Sequence, residues 1–139
     1  MSRKDTIRNL IFVCVANMCR SPMAEGLAKN ILGSRVKISS AGLAPFSKNA
    51  TREAVGILKD LYGIDISEHY PKPVMDLDLN RVDLIIGLDS TVYSYLRDVY
   101  PHLSEKILLW EIEDPFGKDM KAYKETAEKI QDHIKKYLV

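Results

Sequence analysis

A single doubly wound α/β domain is the fold this sequence predicts, on three observations. Short, almost continuous apolar runs alternate with longer segments of helical period. The last of those segments carries one clean apolar stripe. No repeat, low-complexity tract or linker divides residues 1–139. Apolar strands alternating with helices belong to a parallel sheet covered by helices on both faces, with right-handed crossovers. The expected sheet has four strands in the order 2-1-3-4. In such folds a ligand binds beyond the carboxyl ends of the strands where the order reverses, and the loop after the first strand lies at that point.

The elements follow in order. Leu10-Ile11-Phe12-Val13 reads as the first buried strand. Ser21-Pro22-Met23-Ala24-Glu25 reads as a helix start, with Ser21 as N-cap, Pro22 at the first helical position and an acid in the first turn. Val36-Lys37-Ile38-Ser39 is the second strand, ending at Ser40-Ala41-Gly42. A loop with Pro45 leads to a helix from about Ala50, which places Ala54, Ile57, Leu58 and Leu61 on one face and stops at Gly63. Leu84-Ile85-Ile86-Gly87-Leu88 is the third strand, and Asp89-Ser90 caps a helix running to about Val99. Ile107-Leu108-Leu109-Trp110 is the fourth. Met120, Tyr123, Ala127, Ile130, Ile134 and Tyr137 then recur at steps of three and four, an amphipathic helix laid on the core.

Composition narrows the function. Lys plus Arg number 20 against 19 Asp plus Glu, a formal net charge of +1, which offers no basic face to a nucleic acid. The longest apolar run, Leu10 to Ala16, is far short of the roughly 20 residues of a spanning helix, and there is no secretory signal. A cytoplasmic protein with neither nucleic-acid nor membrane partner is expected. Both cysteines, Cys14 and Cys19, lie in one loop, where a disulfide would close only a tiny ring. His69, His102 and His133 are scattered with no partner at finger spacing, so no metal or other cofactor is expected and these histidines read as structural or surface residues. Tyr93 and Tyr95, on the helix after strand three, read as ordinary packed or exposed tyrosines.

The chemistry is concentrated in Cys14-Val15-Ala16-Asn17-Met18-Cys19-Arg20-Ser21. A cysteine, five residues and then Arg-Ser, set between a strand and a helix N-terminus, aims several backbone N–H groups at one anion. A thiol becomes a strong nucleophile as the thiolate, which a helix N-terminus and a fixed positive charge both favour. Arg20 offers a planar fork of donors matched to two phosphoryl oxygens. Ser21 can donate its hydroxyl to the sulfur. An acid is also needed, to protonate the departing alcohol and then serve as base for water. Asp114, in the turn-rich stretch Glu111-Ile112-Glu113-Asp114-Pro115-Phe116-Gly117 after strand four, is the choice.

With these residues the chain resembles the low-molecular-weight protein tyrosine phosphatases over essentially its whole length. The matched features are the Cys14–Ser21 loop followed by Pro22, Ala24 and Glu25, then Ser40-Ala41-Gly42, Asp89, and Asp114-Pro115-Phe116. The resemblance implies Cys14 as nucleophile, Arg20 as transition-state clamp and Asp114 as general acid. It implies that Asn17 and Ser21 organise the loop, that Ser40 belongs to its hydrogen-bond network, and that phosphotyrosine is hydrolysed through a phosphocysteine without metal. Val15, Ala16, Met18 and Cys19 complete the substrate loop. Three positions depart from the family pattern: Ala16 replaces a usual glycine and is strained if its φ is positive; His69-Tyr70-Pro71-Lys72-Pro73 replaces a histidine-x-alanine-arginine run; and Val92 stands where asparagine is common.

Met18 occupies the position at which threonine resembles protein-arginine phosphatases and a larger aliphatic residue the tyrosine enzymes, so a phosphotyrosine protein or small aryl phosphate is the expected partner. Phe46 and Phe116 are expected to flank the substrate ring. By the same resemblance Cys19 pairs reversibly with the nucleophile, a protection against oxidation; as a residue it reads equally as a small packed side chain. Other functions share the loop. Arsenate reductases of the same fold use a cysteine pair well downstream, and no cysteine follows Cys19. Phosphocysteine carriers lack the arginine and the acid. A non-catalytic phosphate binder would need no Asp114.

Overall fold

The strand that carries the cysteine loop is also the one on which the sheet is assembled. In the computed structural model, which describes residues 6–139, Asn9–Cys14 form β1, paired in parallel with β2 (Lys37–Gly42) on one side and β3 (Leu84–Gly87) on the other. β4 (Ile107–Leu109) adds to β3, also in parallel. The order is β2-β1-β3-β4, as the sequence predicts. Cys14 lies opposite Gly42 and Val13 opposite Gly87, so three strand ends meet where the order reverses.

Alternation along the strands divides the core. Leu10, Phe12 and Cys14 of β1 and Leu84 and Ile86 of β3 face a layer made by α1 (Arg20–Leu32), α2 (Arg52–Tyr62) and α4 (Met120–Tyr137). Ile11 and Val13 of β1 and Ile85 of β3 face α3 (Ser90–Val99) on the opposite side. Both faces of the sheet are apolar, which is why these strands read as unbroken hydrophobic runs. Each of the Leu, Ile, Val and Phe side chains among them contributes about 1.5–3 kcal/mol by leaving water. Trp110 packs against Phe12 with ring centroids 5.7 Å apart. No described helix is long and apolar enough to cross a membrane.

Three helices begin on a side-chain cap. Thr51 accepts from the Ala54 N–H, Asp89 from Val92 and Asp119 from Ala122. α1 does not: it starts at Arg20, its N-cap is Cys19, and no side chain caps it. The expectation of Ser21 as N-cap is therefore corrected, because the Ser21 hydroxyl is turned to the Cys14 sulfur instead. Glu25 likewise falls one turn later than expected. β2 ends at Ser40, Ala41 and Gly42, as the sequence predicts, with these residues paired to Phe12, Val13 and Cys14. Leu61 is half-exposed rather than core, and Met120 and Tyr137 lie at the exposed ends of the α4 stripe; Tyr123, Ala127, Ile130 and Ile134 are buried as expected.

Gly42 has a specific reason to be glycine. A Cβ there would stand 2.8 Å from the Val15 carbonyl oxygen, 2.9 Å from the Ala16 carbonyl carbon and 2.9 Å from the Asn17 nitrogen, all backbone. The end of β2 is thus the floor on which the cysteine loop rests. Gly42→Ala is expected to cost about 1–3 kcal/mol through this overlap, measured as a lowered urea midpoint. An unchanged midpoint would show that the loop does not rest on β2 as described.

Candidate active site

The loop turns sharply after β1, and the turn is made by one residue. Asn17 has φ 58°, a left-handed conformation that asparagine adopts more readily than other non-glycine residues. It is the only such residue among those described apart from glycines. Ala16 therefore carries no positive-φ strain, which removes the concern raised by its replacing a glycine. The turn aims the Asn17 N–H at the Cys14 sulfur, 3.2 Å away. The segment after β2 pins the loop from outside, with the Leu43 N–H donating to the Cys14 carbonyl and Ala44 to that of Val15.

Asn17 is fully buried and every polar atom of it is engaged. Its Nδ2 donates to the Ser21 hydroxyl at 2.8 Å and to the Ser40 hydroxyl at 3.0 Å. Its Oδ1 accepts from the Lys72 N–H at 3.1 Å, which fixes the orientation of the amide because a backbone N–H can only donate. Its carbonyl oxygen lies 2.9 Å from His69 Nε2, which must therefore carry the proton. Ser40 in turn donates to Glu25 Oε1 at 2.6 Å. His69 thus serves as a structural residue behind the loop. Burial pushes its pKa below the ordinary histidine value, opposed by its bond to Asn17 and the Glu25 charge.

Arg20 is held by one nitrogen. Its Nη1 faces Asp89 Oδ2 at 2.8 Å, the Ile112 carbonyl at 3.0 Å and the Leu88 carbonyl at 3.3 Å. Asp89 thereby works twice, capping α3 with Oδ1 and holding Arg20 with Oδ2. Nη2 lies 3.7 Å from Asp114 Oδ2, and neither Nη2 nor Nε hydrogen-bonds to the described residues. The buried guanidinium is therefore braced on one edge and open on the other.

The expected residues converge. A cavity of about 100 Å³ is lined by Cys14, Val15, Ala16, Met18, Cys19, Arg20, Phe46, Asp114 and Phe116. Asp114 is half-exposed at the mouth, its Oδ1 accepting from the Phe116 N–H. Phe46 and Phe116 are both exposed and meet edge to face, ring centroids 5.9 Å apart, over that mouth. Asn17, Ser21 and Ser40 lie beneath it as the network just described. Cys19 is buried with its sulfur 3.3 Å from the Tyr123 hydroxyl and 3.6 Å from that of Thr51. Desolvation pushes the Cys19 thiol up, and the Tyr123 phenol up as well.

Some participants were not legible as such. The support given by Gly42 and Lys72 comes from backbone approach across long separations, which side-chain pattern does not reveal. Glu25 could have been suspected, because it lies four residues after Ser21 on α1 and so on the same helical face.

The description low molecular weight phosphotyrosine protein phosphatase belongs to the family model that matches residues 9–139. The chain is 36% identical over 138 residues to an arsenate reductase of Brevibacillus brevis, covering 99% of this chain and 96% of the relative. It is 32% identical over 132 residues to a probable low molecular weight protein-tyrosine-phosphatase, EpsP, of Ralstonia nicotianae, covering 90% of each. Among solved structures, the low molecular weight protein tyrosine phosphatase from T. tengcongensis matches with a TM-score of 0.86 at 36% identity, over 93% of this chain and 96% of that one.

The lowered His69 pKa has a sign that can be measured. A base whose folded pKa is depressed leaves stability complete above its unfolded value of about 6.5 and loses it as pH falls through the folded value. Thermal midpoints should therefore drop between pH 7.5 and pH 5, and His69→Gln, which keeps an N–H donor but cannot protonate, should flatten that drop. An equal drop in both proteins would remove His69 from the account.

Proposed function

The chain belongs to the low molecular weight phosphotyrosine protein phosphatase family, and on that premise we propose that it hydrolyses phosphotyrosine, or a small aryl phosphate, through a phosphocysteine on Cys14. The observation that carries this reading is the joint placement of three groups at one small cavity: a sulfur facing two hydrogen-bond donors, a guanidinium with a free edge, and a carboxyl at the mouth.

The steps follow from that placement. The phosphoryl group enters with its oxygens toward the uncapped first turn of α1 and the open edge of Arg20, which neutralise the charge of the transition state. The Cys14 thiolate attacks phosphorus, the S–P bond forms, and the bond to the phenol oxygen breaks. Asp114 gives its proton to that oxygen. Water then attacks the phosphocysteine, Asp114 takes the water's proton, the S–P bond breaks and inorganic phosphate leaves. The returning thiolate is met by the Ser21 hydroxyl and the Asn17 N–H, so sulfur is a good leaving group in the second step. Phe46 and Phe116 flank the ring of the substrate, parting from one another to admit it.

The arsenate reductase named among the relatives marks a second reading, since arsenate is a tetrahedral oxyanion like phosphate. Reduction requires a second thiol to attack the Cys14 adduct and supply electrons. Cys19 is the other thiol of this chain, and its sulfur is buried against Tyr123 and Thr51 with its pKa raised, a poor state for attack. Phosphoryl hydrolysis is the better fit.

Para-nitrophenyl phosphate at mildly acidic pH, with chelator and reductant, is expected to be turned over by the parent chain and not by Cys14→Ser. No turnover by the folded, reduced parent would overturn the enzyme reading. Asp114→Asn should lower kcat on phosphotyrosine by about 10²–10⁴, while leaving a stoichiometric phosphoenzyme trappable from substrates with better leaving groups. Phe46→Ala should narrow the preference for aryl over alkyl phosphates; an unchanged ratio would exclude Phe46 from the ring's walls.

A further inference from the structure

The hydrogen bonds behind Cys14 form a chain in which each hydroxyl has one proton to give. Glu25 sits at its far end, away from the cavity. Its carboxylate is paired with Lys29 through Oε2 at 2.6 Å and takes the Ser40 hydroxyl through Oε1 at 2.6 Å. A carboxylate only accepts, so the single Ser40 proton points at Glu25. Ser40 must then accept from Asn17 Nδ2, and the same Nδ2 gives its other proton to Ser21. Ser21, having accepted, is left with its own proton free, and the Cys14 sulfur stands 2.9 Å away. The donors along the path are thus ordered by Glu25 at the far end together with the Lys72 N–H at the amide.

We propose that Glu25 is a positioning residue that sets the direction of the hydrogen bonds reaching Cys14, by capturing the one proton Ser40 has to give. Without that acceptor the Ser40 hydroxyl turns back toward Asn17. Two donors then face one another, and the Ser40 proton competes with Nδ2 for the space between them. The amide relieves this by rotating toward its flipped form, in which Oδ1 takes protons from Ser40 and Ser21. The Ser21 proton is then drawn away from sulfur. The Lys72 N–H resists the flip, so the loss is partial rather than complete.

A direct charge effect has the opposite sign. A negative carboxylate near a thiolate destabilises it, so deleting the charge alone would favour the thiolate. The other charged and titratable groups facing this chain are Lys29 on Glu25, His69 on the Asn17 carbonyl, Lys72 beside His69, Arg20 and Asp114 at the mouth, and Cys19 in the same loop. None of them is removed when Glu25 is replaced, and only Lys29 loses its ion-pair partner. The sign of the shift therefore separates the two roles.

The test is the pH profile of Cys14 alkylation by iodoacetamide, followed peptide by peptide by mass spectrometry so that Cys19 is scored separately. This readout rests on Cys14 as a reactive thiol and needs no substrate, so it stands or falls apart from the phosphatase reading. Glu25→Ala should move the Cys14 midpoint up by about half to one pH unit, the scale of one hydrogen bond to a charged group partly lost. Glu25→Gln, which keeps an accepting oxygen, should return it to within about 0.2 unit of the parent or slightly below. In a Ser40→Ala background Glu25→Ala should add no upward shift, because the link is already cut. Where Glu25→Ala does not fold, Glu25→Met, which fills the space with a thioether that accepts hydrogen bonds far more weakly than a carboxylate, carries the same expectation. A midpoint that stays put or moves down in the Ala and Met variants, or an upward shift that persists without Ser40, overturns the proposal.

Discussion

The buried amide of Asn17 is the interaction on which the rest of the site depends. One residue in a left-handed conformation turns the loop, and four residues from three parts of the chain hold it there: Ser21 on α1, Ser40 on β2, and His69 and Lys72 from the segment beyond α2. A buried amide left unpaired would cost about 1–3 kcal/mol per group, so the arrangement is stable only when all partners are present. That condition makes the loop a single state rather than a flexible connection. Its N–H then faces the Cys14 sulfur without help from a ligand.

Around that amide the fold places charge with the same economy. Of the helices, α1 begins without a side-chain cap, and its first turn opens on the cavity. Arg20 sits in that turn, buried, and its charge is balanced by Asp89 rather than by the solvent. All of its hydrogen bonds to the described residues run through Nη1, while Nη2 stands 3.7 Å from Asp114 Oδ2 at the mouth of the cavity. Preorganisation of this kind lowers the reorganisation needed when a phosphoryl group develops charge. The sheet supplies the geometry, because the ends of β1 and β3 and the residues after β4 bring Cys14, Asp89 and Asp114 to one edge.

Reading residues along the chain recovered much of this. The parallel sheet and its order, the apolar stripes, the caps at Asp89 and the stop at Gly63 are all as expected. So is the meeting of Cys14, Arg20, Asp114, Phe46 and Phe116 at one cavity. Where the reading slipped, a longer-range partner had outbid a local one. Ser21 has the signature of a helix cap, yet its hydroxyl serves the sulfur. Ala16 looked like the strained position, and the strain lies one residue later at Asn17.

The sequence by itself determined the elements and the chemical inventory, because periodicity, caps and the cysteine-to-arginine spacing act within a few residues of chain. Neighbours at that range meet whatever the rest of the molecule does. Only the tertiary structure decided which donor serves which acceptor. Lys72 reaches Asn17 across 55 residues, Asp89 reaches Arg20 across 69, and Tyr123 reaches Cys19 across 104. Such pairings are chosen by the packing of helices on the sheet, and a hydrogen bond has no direction until both of its ends are in place.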